Sequence, residues 1–308
     1  MPLDADLKAL MDKAAGAPAW HMLDLAEARA LYAPRPRPPA PEVGGVAERI
    51  VRGPGGGLRL RIYTPPGGDG PHPLLVFFHG GGFVLCSLDS HDGTCRHLCA
   101  GSGYVVVSVD YRLAPEAKLP AASDDCLFAT RWAAGHAAEL NARADCIVVA
   151  GDSAGGNLAA VTALRVRDEG GPVLAGQLLV YPVADYHTPG TPSYRENAEG
   201  YGLTRESMVQ FWRHYLASEG DGAHPHAAPL RAESLERLPP ALVFSAEFDP
   251  LRDEAEAYGA RLAAAGVAVR TIRWDGMAHG FFGLVGWVAK STAAMGVACE
   301  WLREVSAR

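Results

Sequence analysis

From residue 73 onward, short apolar runs without strict in-out alternation are separated by longer segments whose apolar residues recur every three or four positions. The runs are "PLLVFFHG", "YVVVSVD", "CIVVAGD", "GQLLVYP", "ALVFSAEFD" and "AVRTIRW". Strands apolar on both faces belong in a parallel sheet covered by helices. Between them, "DDCLFATRWAAGHAAEL", "NLAAVTALRVRDEG" and "RDEAEAYGARLAAAG" are long enough for crossover helices, and "STAAMGVACEWLREV" (291–305) predicts a last helix. This βαβα rhythm predicts an α/β fold with a mostly parallel central sheet flanked by helices.

The rest of the chain departs from that rhythm. Residues 1–32 carry helical spacing in "LKALMDKA" and "MLDLAEARALY". "APRPRPPAPEVGG" (33–45) then stops any helix, because each proline lacks an N–H and restricts its predecessor. It predicts an extended connector between an N-terminal accessory segment and the main domain. "AERIVRGPGGGLRLRIYTPPGG" predicts two strands around a glycine-rich turn; its glycines do not follow the G-x-G-x-x-G spacing of a dinucleotide loop. Residues 185–220, polar and aromatic with one amphipathic helix, interrupt two sheet strands. Such an insertion lies at one rim of the sheet, either covering a site or forming a plain surface excursion.

Charge narrows the partners. With 28 Lys and Arg against 35 Asp and Glu, the formal net charge is −7, which disfavours nucleic acid and anionic membrane. No apolar run reaches the roughly 18–20 residues of a membrane span. The N-terminus has acids early and no basic region before an apolar core, so no signal peptide is read and a cytoplasmic location is expected. The six cysteines are expected to be reduced and buried. Cys95 and Cys99, four residues apart, read as helix packing; His91 and His97 make a metal site conceivable there, but no ligand pair has zinc-finger spacing.

The chemistry centres on "GDSAGGN" (151–157), where a strand-like run meets a helical one. Ligands bind at strand C-termini in an open parallel sheet. A tight strand-to-helix turn needs small neighbours, hence Gly151 and Gly155, and presents Ser153 beside an electropositive helix end. A serine needs a base and a group to orient that base. Asp249 and then His279 follow later strand-like runs in the order this geometry requires. Glu247 within the strand and Asp253 within the next helix are poorer candidates, and Asp275 precedes His279 too closely. Oxyanion donors come from the loop His79-Gly80-Gly81-Gly82 after the first long strand, and from the N–H of Ala154. His79 reads as a loop-fixing residue rather than a second base.

Taken together, "HGGGF" (79–83), "DYRLAPE" (110–116), "LPAASDD" (119–125), "GDSAGGN", "DPLRDE" (249–254) and "HGF" (279–281) resemble the hormone-sensitive-lipase-like branch of the α/β-hydrolases, the bacterial family IV esterases. The resemblance implies the α/β-hydrolase fold with Ser153 as nucleophile, His279 as base and Asp249 as its orienter. It implies oxyanion N–H groups on Gly81, Gly82 and Ala154, with Gly80 shaping the loop. It also implies a helical cap built from residues 1–40 and from an insertion at about 185–220, over a catalytic domain of residues 41–308. "DYRLAPE" is then a structural turn with Arg112 and Glu116 in buried or semi-buried ion pairs. Cys86 is expected to be buried as a small apolar residue, with an approach to the acyl pocket as the alternative.

The implied activity is a serine carboxylesterase for short- to medium-chain esters, acting on a small-molecule substrate and needing neither metal nor organic cofactor. Tyr194, Tyr201, Phe211, Trp212 and Tyr215 make the expected cap aromatic and moderately polar. An amidase or arylformamidase would use the same machinery, and a non-catalytic receptor is the reading from a different class. A homodimer paired through the last helices is left open.

Overall fold

The computed structural model describes residues 2–32 and 38–307. Strands β1 (Gly45–Gly53) and β2 (Gly56–Thr64) form the hairpin, with Gly53 paired to Gly56 around Pro54-Gly55. β3 (His72–Phe78), β4 (Val105–Val109), β5 (Ala142–Asp152), β6 (Leu174–Val180), β7 (Ala241–Phe248) and β8 (Val269–Ala278) follow the predicted apolar runs. The helices are α1 (Ala5–Ala14), α2 (Leu25–Leu31), α3 (Asp92–Ser102), α4 (Ala121–Gly135), α5 (Ala154–Glu169), α6 (Pro192–Glu196), α7 (Arg205–Tyr215), α8 (Arg252–Ala264) and α9 (Ala289–Ser306).

One eight-stranded sheet runs β1-β2-β4-β3-β5-β6-β7-β8. β1 and β2 are antiparallel, and β3 to β8 are mutually parallel. Side-chain alternation divides the core in two. Leu74, Val76, Phe78, Ile147 and Val149 face a layer completed by α4, α5 and α8, whereas Leu75, Phe77, Val148 and Ala150 face α3 and α9. Cys95 and Cys99 are buried in this second layer, where burial pushes both thiols' proton affinity up. Among the described residues no helix is long and apolar enough to cross a membrane.

Parallel pairing brings five strand ends, those of β3, β5, β6, β7 and β8, to one edge of the sheet. Phe78 pairs with Gly151, Asp152 with Val180, Val180 with Phe244, and Phe248 with Ala278. The residues that follow β3, β5, β7 and β8 are the HGGG loop, Ser153, Asp249 and His279.

Residues 2–32 hold two helices, separated because Gly16 adopts φ 90° and Pro18 lacks an N–H; only a 3₁₀ turn, Trp20–Met22, lies between. Part of the expected connector, residues 33–37, lies outside the described residues. The "DYRLAPE" pairs also differ from one another. Arg112 holds the buried Asp125 bidentately at 2.8 and 2.9 Å while its own N–H donates to the same carboxylate at 3.0 Å. Glu116 instead pairs with Arg29 of α2 at the surface, with 58% of its side chain exposed. Its partner comes from the N-terminal segment, which sequence spacing could not reveal.

Because Asp125 is, among the described residues, the sole carboxylate bonded to the Arg112 backbone and guanidinium, Asp125→Ala is expected to cost about 3 kcal/mol. Urea denaturation checks this: the midpoint should fall with the slope unchanged.

Candidate active site

The joint between β5 and α5 is strained by construction. Ser153 sits at φ 57°, ψ −119°, in a region that L-residues rarely adopt. Its N–H donates to Val180 C=O at 2.9 Å, and its C=O accepts from Asn157 at 3.0 Å and Val183 at 3.2 Å. A Cβ on Gly155 would collide with the Phe78 carbonyl, and one on Gly151 with the Gly155 backbone. Both glycines are therefore required by the closeness of β3, β5 and α5.

The strand ends bring the three candidate side chains into one hydrogen-bonded line. Ser153 Oγ lies 2.9 Å from His279 Nε2, and His279 Nδ1 lies 2.7 Å from Asp249 Oδ2. Asp249 is fully buried, and its Oδ1 accepts the Leu251 N–H at 2.9 Å. The Tyr181 ring, carried at φ 36°, packs 4.6 Å from the His279 ring. The rival acids are engaged elsewhere: Glu247 accepts from the Gly276 N–H at 2.6 Å, Asp253 from the Ser193 N–H at 2.8 Å, and Asp275 lies within β8.

The HGGG loop lies beside this line. Gly81 (φ 116°) and Gly82 (φ 61°) both need glycine's freedom. Among the described residues, the N–H groups of Gly81, Gly82 and Ala154 donate to no protein acceptor. Gly80 has a different role. Its N–H donates to Asp152 Oδ1 at 3.0 Å, and a Cβ there would meet the Asp152 carboxylate. Asp152 also contacts His91 Nε2 at 3.2 Å, and Ser90 Oγ lies 2.9 Å from His91 Nδ1. Burial would raise the Asp152 proton affinity, but the neighbouring His91 outweighs it and holds the carboxyl below the usual range. His79 Nδ1 donates to the Gly80 carbonyl at 2.7 Å, its ring stacks on Tyr111 at 4.4 Å, and burial together with nearby His91 lowers its pKa to about 3. It is a neutral loop-fixing residue.

Sequence reasoning missed three supports. His91 and Asp152 link the glycine loop to the serine turn, but nothing in "SHDG" marks that role. Asn197, just after α6, donates to the Asp249 carbonyl at 3.2 Å. Glu254, whose carboxyl burial pushes well above the usual carboxylate range, accepts the Ala184 N–H at 2.9 Å just beyond β6.

Ser153, His279, Gly81, Gly82 and Asp152 line a cavity of about 820 Å³. The cap aromatics divide between the cavity and the core. Of the five insertion aromatics, Phe211 reaches the cavity; Tyr194, Trp212 and Tyr215 are core residues, and Tyr201 stacks on Phe248 at 4.7 Å. Helical spacing explains this, since Met208, Phe211, Trp212 and Tyr215 share the inward face of α7 and most of that face meets the core. Trp20, Tyr32, Tyr181, Phe282 and Trp287 supply the other aromatic lining among the described residues. Cys86 also lines the cavity, at φ 73° and against Gly81, so the pocket alternative replaces simple burial.

Residues 75–283 match the family described as alpha/beta hydrolase fold. The chain is an α/β-hydrolase of the hormone-sensitive-lipase-like branch. Esterase LipI of Mycobacterium tuberculosis is 46% identical over 263 residues, covering 84% of this chain and 82% of that protein. Ethyl acetate hydrolase of Pseudomonas putida is 36% identical over 252 residues, covering 80% and 78%. The crystal structure of a hyperthermophilic esterase from the archaeon Pyrobaculum calidifontis superposes on this α/β-hydrolase with a TM-score of 0.91, at 38% identity, covering 100% of both chains.

The buried His79 makes stability depend on pH. Its folded pKa of about 3 lies below the usual 6.5, so as pH falls through 6.5 the unfolded chain takes up a proton that the folded protein refuses. Stability is expected to fall continuously from about pH 6.5 toward 3. Comparing urea midpoints at pH 7 and pH 5 tests this: the loss should be smaller in His79→Phe, which keeps the ring stack and cannot titrate.

Proposed function

We propose that this carboxylic ester hydrolase works through Ser153, His279 and Asp249 on neutral esters with short to medium acyl chains. The observation that carries the reading is the unbroken line from Ser153 Oγ to His279 to the buried Asp249 at one wall of the cavity. Ser153 Oγ attacks the ester carbonyl carbon as its proton passes to His279 Nε2. Asp249 fixes the proton on Nδ1 and stabilises the imidazolium. The carbonyl oxygen, now an anion, is held by the N–H groups of Gly81, Gly82 and Ala154, each such donor being worth about 3 kcal/mol. Collapse breaks the bond to the alkoxy group, which leaves as the alcohol with the His279 proton. Water then repeats the sequence on the acyl-enzyme and releases the acid.

The N-terminal segment to residue 40 and the 185–220 insertion act as the cap, a reading supported by Trp20, Leu203 and Phe211 in the cavity wall. The substrate class follows from the lining. Among the described residues it contains no lysine or arginine, and the one carboxylate among them, Asp152, is paired with His91. An anionic acyl or alcohol group would lose its hydration there without gaining a cation. The relative named for ethyl acetate supports a small acyl group.

Hydrolysis of p-nitrophenyl esters from acetate to decanoate is expected to peak at short to medium chains. Ser153→Ala should lower kcat by roughly 10⁴-fold or more. A mutant that retains activity, without an altered fold, would remove Ser153 from the mechanism. In a matched pair, methyl hexanoate should have a kcat/KM at least about tenfold above that of monomethyl adipate at pH 7.5. Equal rates would overturn the neutral-substrate reading.

A further inference from the structure

The glycine loop is gripped from outside the sheet by two segments distant in sequence. The Phe211 ring of α7 lies so close over Gly82 that a Cβ there would strike it. Trp20, on the 3₁₀ turn of the N-terminal segment, stacks on Phe211 with ring centroids 4.1 Å apart and planes 13° from parallel. Phe83, next in the loop, stacks on Tyr215 of the same helix at 3.8 Å and 5°. Helix α7 is in turn tied to the main domain, since Leu119 N–H donates to Tyr215 C=O at 2.9 Å.

A second contact comes from α2. Arg29 Nε donates to the carbonyl of Val84 at 3.0 Å, and its Nη2 donates to Ala114 C=O at 3.1 Å. Ala114 N–H itself donates to Phe83 C=O at 2.8 Å. Glu116 holds the guanidinium at 2.8 Å on both sides. Residues 82, 83 and 84 are thus each fixed by a group belonging to, or backed by, the N-terminal segment or α7.

We propose that Trp20 and Arg29 are positioning residues for the reaction: the N-terminal segment holds the oxyanion loop in register with Ser153 instead of serving only as a pocket wall. The proposal rests on the reading that Gly81 and Gly82 receive the oxyanion. Its physical basis is the steep cost of misplacing a donor, where a shift of about 1 Å costs up to 100-fold in rate. A wall residue would act differently, changing which acyl chains bind without changing turnover of the smallest one.

The test uses p-nitrophenyl acetate and a short-chain alkyl trifluoromethyl ketone, which adds the Ser153 hydroxyl across its carbonyl and places an anionic oxygen in the loop. In Trp20→Ala and in Arg29→Gln, kcat on the acetate is expected to fall about tenfold with KM within about twofold, and Ki of the ketone should rise in proportion. Trp20→Phe, which can still stack, should restore kcat. Near-UV circular dichroism and thermal melting identify a variant that fails to fold; Arg29→Gln then carries the test, since it removes no core volume. Unchanged acetate kcat with a shifted chain-length preference would overturn the proposal, as would an unchanged ketone Ki. If wild type is not inhibited by the ketone, or Ser153→Ala stays active, the esterase mechanism itself fails instead.

Discussion

Everything at this site depends on how closely β3, β5 and α5 approach one another. Gly155 lies against the carbonyl of Phe78, and Gly151 against Gly155, so the first turn of α5 sits directly beside the end of β3. That contact has two consequences at once. It drives Ser153 to φ 57°, which exposes the hydroxyl beyond the strand end, and it sets the HGGG loop, which begins at the next residue after Phe78, alongside that hydroxyl. The proposed nucleophile and the proposed anion donors are therefore not positioned independently. A methyl group at Gly155 would separate them, and the strain stored at Ser153, of order 1–3 kcal/mol, persists because the packing around it leaves no alternative.

Polar ties then hold what the packing brings together. Asp152 precedes Ser153 and accepts the Gly80 N–H, so one carboxylate joins the serine turn to the glycine loop. Its charge is stabilised by His91, whose other nitrogen is held by Ser90. On the far side, Asn197 holds the main-chain carbonyl of Asp249, and the Leu251 N–H bonds the carboxylate that faces His279. Each tie uses a buried group whose loss leaves a partner without a bond, and such losses cost more than the bond itself contributes. The site is consequently rigid at its base, where charge develops, and apolar in its walls.

Much of this was legible in the sequence because it depends on local rules. Strands buried on both faces announce themselves as unbroken apolar runs, and the turn at Ser153 requires small residues at fixed offsets. The order of Ser153, Asp249 and His279 along the chain could be read for the same reason, each lying just beyond a strand. What was not legible depends on contacts between distant segments. Glu116 meets Arg29 across 87 positions, and Asn197 reaches Asp249 across 52. The aromatic richness of residues 194–215 left its destination open, since amphipathic spacing alone says which face is apolar and not whether that face meets a core or a cavity. Cys86 posed the same problem: its φ of 73° turns it toward the cavity, and no neighbouring residue signals that turn.

These long-range contacts divide the labour of the fold. The sheet edge carries Ser153, Asp249 and His279 at the ends of strands whose register is fixed by continuous hydrogen bonding, so their separation cannot change without breaking the core. The HGGG loop has no such ladder, and two of its glycines take φ values with a shallow preference for any one arrangement. A loop of that kind must be held from outside. Flat aromatic stacking on Gly82 and Phe83 restrains it without competing for the N–H groups that an oxyanion needs, whereas a hydrogen bond to those same groups would occupy them. Arg29 reaches the loop through a carbonyl, at Val84, and leaves the N–H groups untouched. The chemistry of the grip is thus dictated by the chemistry of the site: acceptors and ring faces can be held, and donors must be left open.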